Sequence, residues 1–253
     1  MNGHSAGYVK SERHGHSMTI EFFHPQGNSL PGNLLWELAS QIHDAGLDVE
    51  IRVVLLCSAG ERAFCAGASF DELSKIKNAQ EGEDFFNGFA HVLNSMRKCP
   101  KFIVARIQGK CVGGGVGLAA AADYAIALTG AEIRLSELAL GIGPFVIGAA
   151  LERKIGSSFF SQLAIDTASW RTAEWAKSRG LYSEVHATKE LMDESVSRLL
   201  HHLSHSNPEA MKEMKKMFWE GTSHWDHLLV ERAKISGKLV AGAFAQGVIS
   251  KSR

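Results

Sequence analysis

The sequence predicts an α/β protein with a parallel sheet at its centre and a helical segment behind it. Three observations carry this. Residues 51–57, IRVVLLC, form a short and almost wholly apolar run, as expected of a strand buried on both faces. Residues 102–144 alternate strand and helix: FIVARI reads as a buried strand, and the triple glycine and GLAAAA that follow read as a tightly buried helix. From Phe145 onward strand patterns nearly vanish and helical patterns take over. The core is expected to occupy residues 1–190 and a C-terminal helical region residues 191–253.

Taken in order, residues 8–23 read as a hairpin closed by a His-Gly turn. Asn28, Ser29 and Pro31 offer an N-cap and turn before a helix with Leu34, Leu35, Leu38 and Ile42 on one face. Residues 58–69 read as a loop of small residues, with Ser69 placed to cap a helix from Phe70. Residues 71–98 are polar and helical, and their acidic middle, KNAQEGED, is expected to be a mobile loop. Behind the central stretch, helices are expected over 145–155, 157–164, 172–179, 189–202, 208–219 and 226–240, with a strand at 182–186. Short helices without a sheet of their own need a surface to cover, which predicts oligomerisation.

With 253 residues, 45% apolar and 21% charged, the chain has ample material for a core. Its formal net charge of zero gives no electrostatic case for nucleic acid or an anionic membrane. No apolar run approaches the ~20 residues of a transmembrane helix, and the polar N-terminus lacks the apolar stretch of a signal peptide. The first six residues are expected to be disordered, with His4, His14 and His16 solvated. Cys57, Cys65, Cys99 and Cys111 form no CxxC pair and read as reduced core residues, which makes the cytoplasm the expected compartment.

The chemistry concentrates in 102–144. Glycines at 113–115 allow close backbone approach to a ligand and leave free N–H groups where a helix begins. Glu137 is a lone carboxylate before an apolar segment, a candidate for a raised pKa and proton transfer.

Three motifs, AFCAGASFDEL (63–73), VARIQGKCVGGGVGLAAAADYAIA (104–127) and LSELALGIGP (135–144), resemble the enoyl-CoA hydratase/isomerase, or crotonase, superfamily in order and spacing. The resemblance begins near Met18 and covers nearly the whole chain. It implies a crotonase-like spiral of ββα units, a C-terminal helical region used in trimerisation, and a homotrimer or dimer of trimers. It also implies an acyl-CoA thioester substrate and no separate cofactor, since CoA enters with the substrate. The matching catalytic positions are Glu137 for the proton and the Ala68 and Gly114 N–H groups for the thioester oxygen. Ala66, Ala68, Gly113, Gly114 and Gly117 match substrate-binding positions, and Arg62 stands where a basic residue beside the ADP moiety is common.

Where the resemblance breaks, it bears on the reaction. Standard hydratases carry two glutamates, and the first falls here on Gly117. The GGGVGL variant with its LSE segment is also similar to a bacterial branch associated with methylglutaconyl-CoA hydration in leucine breakdown. A hydratase is the leading expectation, an isomerase the alternative, and a non-catalytic acyl-CoA binder the third. Gln26-Gly27 replaces the usual base before the Asn-x-Leu motif, and Ser69 the usual Asp.

Other features have plainer readings. The spacing Gly115-x-Gly117-x-x-Ala120 imitates a dinucleotide fingerprint, but no second mononucleotide half follows and no GK[ST] is present. Asp123 is expected to hold structural hydrogen bonds. His201, His202 and His205 read as part of a solvated helix without a completing ligand, so no metal is expected. Lys212, Lys215 and Lys216 read as a solvated face, with a contribution to a neighbouring subunit's CoA phosphates as the lesser alternative, and the Met and Trp residues of 211–225 as packing between helices or at a subunit interface.

Overall fold

A computed structural model describes residues 7–251. The first six residues, for which disorder and a solvated His4 are expected, lie outside that range. Strands β1 (Tyr8–His14) and β2 (Ser17–Phe23) form the expected antiparallel hairpin, closed at Gly15 with φ 60°. Helix α1 (Gly32–Leu47) buries Leu34, Leu35, Leu38 and Ile42. Its cap differs from expectation: Pro31 holds the N-cap position and the Gly32 N–H donates to the Glu72 carboxylate at 2.7 Å. Asn28, at φ 59°, is used elsewhere, its amide donating to the Ala59 and Ala63 carbonyls at 2.8 and 2.9 Å. That choice pins the loop after β2 to residues 59 and 63, which line the groove beside the site.

The chain then repeats one pattern. Strand β3 (Val53–Ser58), buried throughout as its composition predicts, is followed by the short β4 (Ala63–Cys65), then α2 (Phe70–Leu73) and α3 (Ala79–Lys98). Strands β5 (Phe102–Ile107) and β6 (Lys110–Val112) lead into α4 (Gly114–Ala121). Strands β7 (Tyr124–Leu128) and β8 (Ile133–Arg134) lead, through a 3-10 turn, into α5 (Phe145–Ile165). Strand β9 (Glu184–His186) completes a six-stranded sheet ordered β1-β2-β3-β5-β7-β9, parallel except at the hairpin. The second strand of each pair goes to a separate three-stranded parallel sheet, β4-β6-β8. This is a spiral of ββα units. The small sheet corrects the reading of 58–69 as a loop: strands of two or three residues leave no periodicity to read.

The acidic stretch expected to be mobile is helical instead. Asn78 accepts from the Glu81 N–H at 3.0 Å and Glu81 returns a bond to the Lys77 N–H at 2.8 Å. Acids in a first turn also suit the helix dipole, so the charges that suggested a loop start α3. Ser69 stands at the N-cap of α2 but its hydroxyl makes no capping bond. Helix α5 is broken at Gly156, φ 77°, into the two runs the sequence predicts.

Behind α6 (Ala173–Ser178), helix α7 (Lys189–Ser204) lays Met192 and Val196 against Val53, Leu55, Val104 and Ile126 on one face of the large sheet. Helices α8 (Pro208–Phe218), α9 (Trp225–Val240) and the unanticipated α10 (Ala243–Lys251) follow. Trp219, Trp225, Leu229, Ala233, Val240 and Ala245 join the main core, so these helices share it with the spiral. Lys215 is a correction, being 2% exposed with its ammonium on Asp123 Oδ2 at 2.8 Å and on the Lys101 carbonyl at 2.9 Å. Asp123 holds the structural bonds expected of it, accepting also from the Ile103 N–H at 2.7 Å and Trp219 Nε1 at 3.1 Å. No helix among the described residues is long and apolar enough to cross a membrane.

Candidate active site

The order β4-β6-β8 sets three parallel strand ends side by side, and each end releases one of the three motifs. Strand β4 leads to Ala66, Gly67 and Ala68, β6 to Gly113 and Gly114, and β8 to Ser136 and Glu137. Parallel sheets commonly bind ligands at such ends. Here the segments line one largely apolar cavity with about 540 Å³ of atom-free space, mouth included. Its other walls include Phe86 and Phe89 of α3, Phe145 and Ile147 of α5, and Ser236 of α9.

Backbone hydrogen bonds fix the donors. The Ala66 N–H donates to the Gly27 carbonyl at 3.1 Å, Leu30 to Gly67 at 2.7 Å and Ser69 to Leu30 at 3.2 Å. The Ala68 N–H is left with no protein acceptor among the described residues. Opposite it, the Gly113 N–H donates to Arg134 at 3.0 Å, and Gly114 opens α4 with its own N–H likewise unmatched. The glycines are demanded by geometry. Gly113 has φ 52°, and a Cβ there would lie 2.8 Å from Glu137 Oε1, while one at Gly114 would overlap the Phe89 ring.

Glu137 stands just before the turn Leu138–Leu140, its carbonyl accepting from the Leu140 and Ile142 N–H groups, both at 3.0 Å. As a residue it is half-buried, yet Oε2 is shut off from solvent and has no hydrogen-bond partner. Burial pushes its carboxyl up from 4.5 to about 7, with the main chain of Glu137 and Ser136 pulling part of the way back. Among the described residues lining the cavity, Glu137 is the only ionisable one. Cys65, behind the β4 turn, is kept inert: burial pushes its thiol up to about 12.

Two expected residues stand apart from this group. Gly117 does not line the cavity, because Ile147 lies between: a Cβ at 117 would fall 2.5 Å from Ile147 Cγ2. Arg62 lies in a neighbouring groove, which shares Ala66 and Val112 with the cavity. That groove also holds Lys110 and Trp170, which sequence reasoning missed. Lys110 and Arg134 cover the Trp170 ring at 4.3 and 4.6 Å. Their one sequence signal was weak, a lysine immediately after the Gln-Gly turn. Gln26, in place of the usual base, is tied to Asp71 at 2.6 Å.

The architecture is that of solved acyl-CoA enzymes. It superposes on the enoyl-CoA hydratase of Bacillus halodurans with TM-score 0.88 and 23% identity, over 96% of this chain and 99% of that one. The family model described as enoyl-CoA hydratase/isomerase matches residues 13–246. The chain belongs to the enoyl-CoA hydratase/isomerase family and is an enzyme of that type. Bacillus subtilis YngF, which carries the enoyl-CoA hydratase/isomerase name, is 34% identical over 82% of this chain and 78% of its own length. The mitochondrial methylglutaconyl-CoA hydratase of Mus musculus is 33% identical over 62% of this chain and 50% of its own.

Proposed function

We propose that this enzyme moves a proton along the acyl chain of an enoyl-CoA thioester, interconverting β,γ- and α,β-unsaturated forms. The observation that carries this is that Glu137 is the single ionisable side chain among the described residues lining the cavity. The thioester oxygen lies between the Ala68 and Gly114 N–H groups. Glu137 takes a proton from the α carbon, the electron pair delocalises as a dienolate onto that oxygen, and the protonated carboxyl returns the proton at the γ carbon. Preorganised donors of this kind each lower a barrier by ~3 kcal/mol. A carboxyl poised near neutrality can both accept and return the proton. Arg62 and Lys110 meet the CoA phosphates in the adjoining groove, with Trp170 beside them. No cofactor beyond the CoA carried by the substrate is required.

Hydration is the second reading, favoured by the methylglutaconyl-CoA hydratase relative. It asks for a second group to hold water, and the position where standard family hydratases carry one is Gly117, with Ile147 packed against it. Whichever reaction holds, the family resemblance implies a homotrimer or a dimer of trimers, for which the exposed Leu138, Ile165 and Phe244 offer apolar surface; light scattering reads the mass directly.

The test is mass spectrometry of a β,γ-unsaturated acyl-CoA incubated with the enzyme in D₂O. Deuterium in the chain and a conjugated product, both reduced about 10²–10⁴-fold by Glu137→Gln, are expected. Addition of D₂O across the double bond would establish the hydratase, and turnover unaffected by Glu137→Gln would remove Glu137 from the chemistry.

A further inference from the structure

We propose that Ser236 sets acyl selectivity by hydrogen-bonding a neutral oxygen, a hydroxyl or carbonyl, carried on the outer part of the acyl chain. The proposal rests on the acyl-CoA reading above and adds a substrate class to it. Ser236 lies on α9, is 1% exposed, and its Oγ has no hydrogen-bond partner. Helical serines commonly return the hydroxyl to the carbonyl one turn back; this one does not. It lines the same cavity as Glu137, among the apolar walls formed by Phe86, Phe89 and Ile147. A buried hydroxyl without a partner is unfavourable, and any small apolar residue at 236 would suit those walls better. A polar group in the occupant accounts for it.

The helix is built to bring Ser236 there. A Cβ at the next residue, Gly237, would run into the Ala79 carbonyl and the Glu83 main chain, and one at Gly82 would lie 2.7 Å from Gly237 Cα. Helices α9 and α3 therefore meet backbone to backbone beside Ser236. The thioester donors Ala68 and Gly114 enter from the strand ends, whereas Ser236 enters from the helical layer. On this assignment the atom it meets lies beyond the reacting carbons.

The partner oxygen is neutral because no Lys, Arg or His is among the described residues lining the cavity. A carboxylate on the acyl chain would be buried without a counter-charge in the cavity that also holds Glu137. This separates the proposed substrates from the acid-bearing methylglutaconyl ester in the mouse relative's name.

Calorimetric titration tests this on the wild type, Ser236→Ala and Ser236→Thr. The ligands are CoA, hexanoyl-CoA, adipyl-CoA, and hexanoyl-CoA with a hydroxyl moved along its outer carbons. One hydroxylated ester should bind the wild type about tenfold tighter than Ser236→Ala. Hexanoyl-CoA should bind both alike, the Thr variant should keep the preference, and adipyl-CoA should bind every form more weakly. Thermal unfolding of Ser236→Ala should lie at or above that of the wild type, since its hydroxyl is buried and makes no bond within the protein. The proposal is overturned if hexanoyl-CoA binds but no hydroxyl position is preferred, if the preference survives in Ser236→Ala, or if adipyl-CoA binds as well as hexanoyl-CoA. Binding of every ester no tighter than CoA alone would overturn the acyl-CoA reading itself, and this one with it.

Discussion

Glu137 shows how one residue's setting becomes a pH dependence. Its carboxyl, raised by burial to about 7, acts as a base only when ionised, so kcat/KM on a β,γ-enoyl-CoA should rise with pH through about 7 and level off above. A profile flat from about pH 5 to 8 would contradict that assignment. The same shift acts on stability with the opposite sense. Between 4.5 and about 7 the folded protein holds a proton that the unfolded chain releases. Stability from this group is therefore complete at low pH and lost as pH rises through about 7. Glu137→Gln lacks the loss, so its advantage over the wild type should widen from about pH 5 to pH 8, by at most roughly 3 kcal/mol. Glu137 was legible in the sequence because an acid before an apolar segment is conspicuous beside glycine motifs. Ser236 was not: a serine in an amphipathic helix gives no local sign that its hydroxyl is buried without a partner and that the residue lines a cavity.

At the scale of elements, the α3–α9 crossing decides how closed the cavity is. Gly237 allows α9 to touch the main chain of Ala79 and Glu83 on α3, the helix that also supplies Phe86 and Phe89 to the wall. Gly237→Ala should force the helices apart, costing about 1–3 kcal/mol as overpacked sites do. It should also raise KM more than it lowers kcat, because the wall moves and Glu137 does not. Unchanged urea midpoint and KM would show that the crossing yields without cost. Helical periodicity made α9 readable, whereas the crossing was hidden because Gly82 lies in the acidic stretch that reads as a loop. Strands β4, β6 and β8 were missed for a different reason. They have two or three residues each, and only their neighbours in the small sheet define them.

For the whole molecule, the fold works by bringing distant segments to one edge, and the spiral had to be held shut to do so. The motifs were legible because main-chain donors demand small residues, which survive as glycine and alanine strings. What joins them was not, since side-chain pairing between remote segments leaves no spacing to read. Lys215 is the case in point: among lysines on an amphipathic helix it looked solvated, yet it is buried against Asp123, 92 residues away. That pair, with Trp219 on the other carboxylate oxygen, fastens α8 to the start of β5 and to the turn between α4 and β7. Asp123→Asn would leave the ammonium buried without its counter-charge, a change that costs about 3–5 kcal/mol where one partner of a buried pair is removed. Replacing both, as Asp123→Asn with Lys215→Met, removes the stranded charge and should recover most of that loss. Urea unfolding of the two single variants and the double reads this as a coupling energy, provided the m-value stays constant. Simple additivity would mean that α8 is held by Trp219 and apolar packing alone. A strong positive coupling would make this ion pair the clasp that keeps the C-terminal helices on the spiral, and with them Ser236 on the cavity.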